Sequence, residues 1–296
     1  MKTEEDQMLT KPLNWDEAVE VWELIQTLLK NYRRWGRFQY GELAGLAREQ
    51  SCLEHVLSIT VLARVIIGKL GIWHVFPDRD LFLSAFEVHD LGEAVHAKAD
   101  GEKEGDVPYP YKTDNGDLVE YRAFCRVFGR KLVPTKFWLE AFLLQFCLKN
   151  PECFPEDARR IMSKLAQEHR KAALLFTMVE HLDYIAYGYR EFQERHFPLV
   201  LVSIFAADHF RILDAIAKEV DGVSTVIWTP EWQGKLETVR KQIYSKKVEF
   251  AETVLLCAKS MSVEEKLKLA DKVLLGDDYD PDINHKKRLF CDMFRT

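Results

Sequence analysis

Two histidines and two aspartates have the residue types and the spread along the chain that suit a metal site. They are His55, His89, Asp90 and Asp183. The dipeptide His89-Asp90 is weak evidence for a metal site by itself, because such a pair often arises by chance. The positions of the other two residues strengthen that evidence, since His55 shares a helical face with the apolar Ile59, and Asp183 shares one with Val179. Both side chains are therefore predicted to point into the protein.

A cation would explain why these polar groups lie inside. An unpaired carboxylate is costly to bury, so Asp183 needs a partner within the protein. One divalent metal held by two imidazoles and two carboxylates satisfies all four groups at once. Such a donor set suits Mn, Co, Fe, Ni or Zn, and the choice among them stays open. A second metal recruiting His96 or His181 is an alternative, although His181 is rotated about 200° from Asp183 on an ideal helix.

Two further carboxylates are candidates for proton transfer. Glu93 lies four residues after His89 and is expected on the same helical face, close to the cation. Asp106 lies in the segment Gly105–Lys112, which also supplies a lysine. We therefore predict acid/base roles for Glu93 and Asp106.

The elements that must position these residues are predicted to be helices. Apolar residues recur at helical spacing along most of the chain, without alternating β-type runs. The predicted helices cover about 14–29, 51–70, 80–90, 118–128, 135–148, 155–167, 170–190, 198–220, 229–260 and 262–276. Residues 101–115 are rich in Gly, Pro and Asp and are expected to form a loop. The prediction is an all-α fold with a domain over 1–198 and a helical extension over 199–296.

Composition excludes several classes of function. The chain has 296 residues and a net charge of −6, which does not favour binding to polymeric nucleic acid. Its six cysteines include no CxxC pair, which favours reduced thiols over a disulfide framework or zinc ribbon. No apolar run approaches the about 20 residues of a membrane helix, and the first residues do not resemble a signal peptide. We expect a cytoplasmic protein without a membrane partner.

The order His, His-Asp, Asp resembles the HD superfamily of metal-dependent phosphohydrolases, which is all-α. The segments EHVLSITVLARVI, FEVHDLGEAV and GDVPYPYK are similar to the bacterial 5′-deoxynucleotidase branch. That branch carries an Arg-Trp pair ahead of the first His, matched here by Arg34-Trp35. The resemblance covers roughly residues 30–195 and implies an HD-type helical bundle.

The resemblance also implies roles for individual residues. The two His and two Asp would hold one divalent metal, and Glu93 and Asp106 would serve the proton transfers. Arg34 and Lys112 would contact the phosphate, and Trp35 would lie against the sugar where that branch excludes the ribose 2′-hydroxyl. The implied reaction is hydrolysis of a 2′-deoxynucleoside 5′-monophosphate to the nucleoside and phosphate.

Three departures from the branch leave alternatives open. The gap between Glu93 and Asp106 is longer, and so is that between Arg34 and His55, which makes Arg37 and Arg48 rivals for the phosphate. About a hundred C-terminal residues have no counterpart in compact members. The alternatives are a dNTP triphosphohydrolase, an HD-type diiron oxygenase and a non-catalytic nucleotide-binding or interaction module. The expected partner is a small nucleotide or phosphate ester, and a homodimer is left open.

Overall fold

The computed structural model describes residues 15–31, 50–94, 114–131, 136–149, 152–195, 200–201, 204 and 209–245. These residues are mostly helical, which confirms the predicted all-α class. The described helices are α1 (Trp15–Asn31), α2 (Cys52–Lys69), α3 (Arg79–Val88), α4 (Asp114–Lys131), α5 (Lys136–Leu144), α6 (Glu156–Glu168), α7 (Arg170–Arg195), α8 (His209–Glu219), α9 (Val223–Val226) and α10 (Pro230–Ser245).

Helix α2 has clear start and stop signals. The Ser51 hydroxyl accepts a hydrogen bond from the backbone N–H of Glu54, and the Glu54 carboxylate accepts one from the Ser51 backbone N–H. This reciprocal arrangement satisfies donors that the first helical turn leaves without a partner. After the helix, Gly71 adopts a φ of 69°, a left-handed conformation that favours glycine. The predicted helix from Ser51 to Leu70 is confirmed.

Helix α3 lies at the centre of the packed helices. It contacts α2, α5 and α7, and its residues Phe82 and Phe86 are fully buried. The Phe86 ring stacks on Phe176 of α7 with 4.5 Å between centroids, a separation at which aromatic pairs add to apolar burial. The nearly continuous apolar sequence of this helix is typical of a helix buried on all sides.

Several helix boundaries differ from the predicted ones. Helix α4 is longer at both ends, α7 continues to Arg195, and α5 ends at Leu144 instead of near Leu148. The early end of α5 has a local cause, because Phe146 N–H donates to the Leu143 carbonyl in a tighter turn. The Gln145 side chain also donates to the Phe142 carbonyl. A side chain that binds backbone carbonyls in this way competes with the regular helical pattern.

The C-terminal part is described only to Ser245. Helix α8 packs on α7, and α10 begins at Pro230 after Thr229, as predicted. The predicted helical stretches beyond residue 245 lie outside the described residues, as do most residues around the proposed boundary at 198. Among the helices that are described, none combines the length and apolar character required to cross a bilayer.

Candidate functional site

Helix α2 places His55 in the interior from its first turn. His55 directly follows the capping residue Glu54, and its backbone N–H donates to the Ser51 carbonyl at 3.0 Å. The side chain is completely buried, on the same face as the buried Ile59. The capped start of the helix therefore fixes the direction in which this imidazole points.

His89 and Asp90 follow the last residue of α3. The Nδ1 atom of His89 lies 2.8 Å from the Phe86 carbonyl oxygen, which can only accept a hydrogen bond, so Nδ1 carries the proton. In the neutral ring this leaves a lone pair on Nε2. The carbonyl of His89 accepts a hydrogen bond from the Gln145 side chain at 3.0 Å. Contacts on two sides thus orient His89 with Nε2 toward His55.

Helix α7 contributes two carboxylates that are one turn apart. Oε1 of Glu180 lies 3.2 Å from Nε2 of His89 and 3.9 Å from Nε2 of His55. This oxygen is buried and accepts no hydrogen bond. Oδ2 of Asp183 lies 3.0 Å from Nδ1 of His55, although the ring N–H does not point directly at it. Asp183 therefore contacts His55 at the ring nitrogen that lies away from His89.

The donor atoms of three segments converge on one small volume. The two Nε2 atoms of His55 and His89 are 3.1 Å apart. Asp90 places Oδ1 at 3.1 Å from Nε2 of His89 and Oδ2 at 3.8 Å from Nε2 of His55. Two ligands each about 2.1 Å from a shared metal are about 3.0 Å apart at a right angle and about 3.4 Å apart at the tetrahedral angle. The shorter observed separations, 3.1–3.2 Å, fall between these two values. The longer ones, 3.8 and 3.9 Å, correspond to wider ligand–metal–ligand angles, so the residues fit a metal ion.

The chemistry of the donors supports the same conclusion. The two Nε2 atoms can share one proton in a hydrogen bond. When neither carries a proton, their lone pairs and the nearby carboxylate oxygens repel one another in a buried volume. The Glu180 oxygen without a hydrogen bond adds to that cost, because burial has removed its hydration. A positive charge between the donors, from a metal ion or from protons on the imidazoles, relieves the repulsion. His55, His89 and Glu180 together supply three such donor atoms within 4.8 Å.

The structure brings together all four residues that the sequence predicted as metal ligands. Asp183 takes a different place from the one expected, since it faces Nδ1 of His55 and not the Nε2 side where the other donors meet. Sequence reasoning missed Glu180. A signal was available, because Glu180 is a second acidic residue three positions before Asp183, in a stretch that is otherwise largely apolar. Residues at that spacing lie on one helical face.

Of the residues predicted to act on the substrate, only Glu93 lies in the described part of the chain. It belongs to a helical turn at 91–94, where the Ala94 N–H donates to the Asp90 carbonyl at 3.1 Å. Its side chain is half-buried, directly after the His89-Asp90 pair. The other predicted substrate or catalytic residues lie outside the described residues: Arg34, Trp35, Arg37, Arg48, Asp106 and Lys112.

His181, which the sequence offered as a ligand for a second metal, contacts His209 instead. Its Nδ1 forms a buried contact with Nδ1 of His209 on α8, and the two rings meet edge to face. Burial lowers the pKa of His209 to about 3. Burial also lowers the pKa of His181, and it is lowered further by the repulsion that protonated His209 would exert and by the positive charge of Lys149. These neighbours stabilise neutral imidazoles at the junction of α7 and α8. His96, the other candidate, lies outside the described residues.

Comparison with known proteins does not assign the chain to a family. No protein-family model matches the sequence, and no curated protein and no solved structure matches it.

Proposed function

We propose that the chain is a metal-dependent phosphohydrolase that releases phosphate from 2′-deoxynucleoside 5′-monophosphates. The observation that carries the proposal is the convergence of Nε2 of His55 and His89 with carboxylate oxygens of Asp90 and Glu180. The choice of substrate rests on the resemblance of Arg34-Trp35 and the segment Gly105–Lys112 to the 5′-deoxynucleotidase branch.

The chain's own residues have separate tasks in this reaction. His55, His89, Asp90 and Glu180 would hold the metal, and Asp183 would support the ring of His55. When bound, a divalent metal supplies positive charge for the phosphoryl oxygens and makes water more acidic. Glu93, one helical turn beyond His89, moves the proton between water and the leaving oxygen. Because phosphoryl transfer depends mainly on positioning and electrostatics, a rigid set of donors on packed helices suits it.

Phosphate binding requires cations near the metal, because the protein as a whole carries a net charge of −6. We assign that task to Arg34 and Lys112, with Arg37 and Arg48 as rivals for it. Trp35 packs against the sugar and offers no partner to a 2′-hydroxyl group. Burying that hydroxyl without a partner costs roughly 1–3 kcal/mol, which corresponds to about 5- to 150-fold in specificity.

The test is a panel of phosphate esters assayed with Mn²⁺, Co²⁺, Ni²⁺, Zn²⁺ and Fe²⁺. It includes paired deoxy- and ribonucleoside monophosphates, deoxynucleoside triphosphates and a simple aryl phosphate. We expect phosphate release from the deoxynucleoside monophosphates, with kcat/KM at least about tenfold above that for the ribonucleotides. His55→Ala serves as the control and should be inactive with every metal.

Each rival function gives a different result in this panel. Release of triphosphate identifies a dNTP triphosphohydrolase. Two iron ions per chain together with oxygen consumption identify an oxygenase. Nucleotide binding without turnover identifies a binding module. Failure of the metal-loaded protein to hydrolyse any ester would overturn the proposal.

A further inference from the structure

Helix α2 carries apolar side chains on its outer face as well as in the core. Leu57, Val61 and Val65 are 56%, 60% and 50% exposed. With about 100° between successive residues, positions four apart fall within a sector of about 80° on one side of the helix. The three side chains therefore form one continuous apolar row on the surface, which we call the outer row.

The outer row is separate from the proposed metal site. His55 and Ile59, both fully buried, point away from Val61 by roughly 120° or more on the ideal helix. Single exposed apolar residues are normal on protein surfaces, whereas contiguous ones mark contact sites. Leu57, Val61 and Val65 are contiguous, so the outer row is a candidate contact surface.

The charges around the row suggest which partner covers it. Glu54 lies seven residues before Val61, Gly68 lies seven after it, and Lys69 comes next; all three are exposed. If two copies of α2 cross antiparallel about a twofold axis at Val61, Leu57 of one copy faces Val65 of the other. The same axis places Glu54 of one copy beside Gly68 and Lys69 of the other. An added Cβ on Gly68 would contact nothing within 4 Å, so the surface there leaves room for an incoming side chain.

We propose that the outer row is a self-association surface through which two copies of the chain form a dimer, with α2 packed antiparallel on α2. Across the twofold axis, apolar residues of the row face apolar residues and Glu54 faces Lys69, so the surface is self-complementary, as a twofold interface requires. Three aliphatic residues and two ion pairs form an interface that is smaller than a standard one, which buries roughly 800 Å² per partner. The dimer should therefore be concentration-dependent, with Kd in the micromolar range. This inference is independent of the proposed function.

The first test measures the mass of the full chain by sedimentation across a range of concentrations. We expect the mass to rise from monomer to dimer as the concentration passes through the micromolar range. Val61→Lys should keep the chain monomeric, and Lys69→Glu should weaken the dimer at least about tenfold by opposing Glu54. Val75→Lys is the matched control, because Val75 is 75% exposed but lies beyond α2. A wild-type chain that remains monomeric throughout this range would overturn the inference.

The second test maps the contact by cross-linking. In Val61→Cys, the introduced thiols lie at the twofold axis and should oxidise rapidly to a disulfide between two chains. Val75→Cys should form little of this product. A disulfide within one chain, from the introduced thiol to Cys257 or Cys291, would show that the C-terminal segment covers the row instead. That result would contradict the dimer while leaving the proposed function unaffected.

Discussion

At the residue scale, the imidazole of His55 has carboxylates near both of its ring nitrogens. Asp183 approaches Nδ1 at 3.0 Å, whereas Asp90 and Glu180 approach Nε2 at 3.8 and 3.9 Å. A carboxylate close to Nδ1 favours the tautomer that is protonated there, which leaves the lone pair of Nε2 for a metal. The geometry therefore favours Glu180 as a ligand and Asp183 as a support for His55.

This division of roles gives the first prediction. Glu180→Gln replaces a charged donor with a neutral amide, and Mn²⁺ affinity should fall by more than about 100-fold; Asp183→Asn should cost only about 10- to 100-fold. Equilibrium dialysis of the purified variants measures both values. Glu194→Gln, an exposed change on the same helix, is the control and should bind like the wild type. Loss of binding in Asp183→Asn with full binding in Glu180→Gln would reverse the two assignments.

Glu93 is the second residue whose role can be tested. If its carboxylate transfers protons without holding the metal, Glu93→Gln should keep the metal and lose roughly 10²–10⁴ in kcat. Elemental analysis and steady-state kinetics of the same sample separate the two effects. A variant without metal would make Glu93 a ligand, and a fully active one would remove it from the reaction.

At the element scale, the turn that carries Glu93 is held close to α4. A Cβ atom added to Gly92 would lie 2.6 Å from the backbone carbonyl oxygen of Glu120, which is closer than real Cβ contacts. Because the nearest atoms are backbone atoms of Glu120, a side-chain rotation cannot relieve the clash. Gly92 therefore sets the distance between α4 and the segment that carries His89 and Asp90.

The third prediction follows from this approach. Gly92→Ala should lower the free energy of unfolding by about 1–3 kcal/mol, the usual cost of overpacking. Gly234→Ala in α10 is the control, because its Cβ would contact nothing within 4 Å. That change should be neutral or should stabilise by up to about 1 kcal/mol, through the higher helix propensity of alanine. Chemical denaturation measures both, and equal effects would contradict the close contact.

We expect the stability contributed by the contact between α7 and α8 to depend on pH. His209 is buried against His181 and Tyr184, and its pKa falls to about 3 in the folded chain. The His209 side chain binds a proton near pH 6.5 in the unfolded chain but not in the folded chain. The contribution of this histidine to the free energy of unfolding is therefore complete above pH 6.5. It is lost as the pH falls from 6.5 toward 3.

The fourth prediction is that the free energy of unfolding depends less steeply on pH in His209→Gln than in the wild type. Between pH 6.5 and 4.5 the wild type should lose up to about 1.4 kcal/mol per pH unit through this histidine. The variant, although less stable at neutral pH, should lack that contribution. Urea titrations at each pH provide the slopes. Parallel slopes for the two proteins would show that His209 is protonated in the folded state.

At the scale of the whole molecule, the metal should stabilise the fold. Its proposed ligands come from α2, from the residues after α3 and from α7, which pack on one another in the core. An ion that binds only the folded chain stabilises it by about 2.7 kcal/mol at one hundred times its Kd. The fifth prediction is thus a rise in Tm of a few degrees with added Mn²⁺, reversed by a chelator. His55→Ala should show no such rise.

Local patterns predicted much of this molecule, but contacts between distant helices had to be seen. The Ser51 cap and Gly71 are local signals, so α2 and the inward direction of His55 followed from the sequence. Periodicity showed that Asp183 lies on an inner face, but it could not show which ring nitrogen that carboxylate meets. The contact of His181 with His209 depends on how α8 packs, and no helical pattern contains that information. The exposure of Val61 was equally hidden, since an apolar residue in a helix predicts burial.

The distance in sequence between the proposed ligands also bears on how the protein is made. Glu180 is translated 125 residues after His55, which at about 5–20 residues per second is roughly 6–25 s later. Until α7 has left the ribosome, the nascent chain offers two histidines and one aspartate without the carboxylates of Glu180 and Asp183. If the site holds a metal as proposed, metal acquisition is a late event in biosynthesis, and a ribosome-bound chain that ends before α7 should not retain the ion.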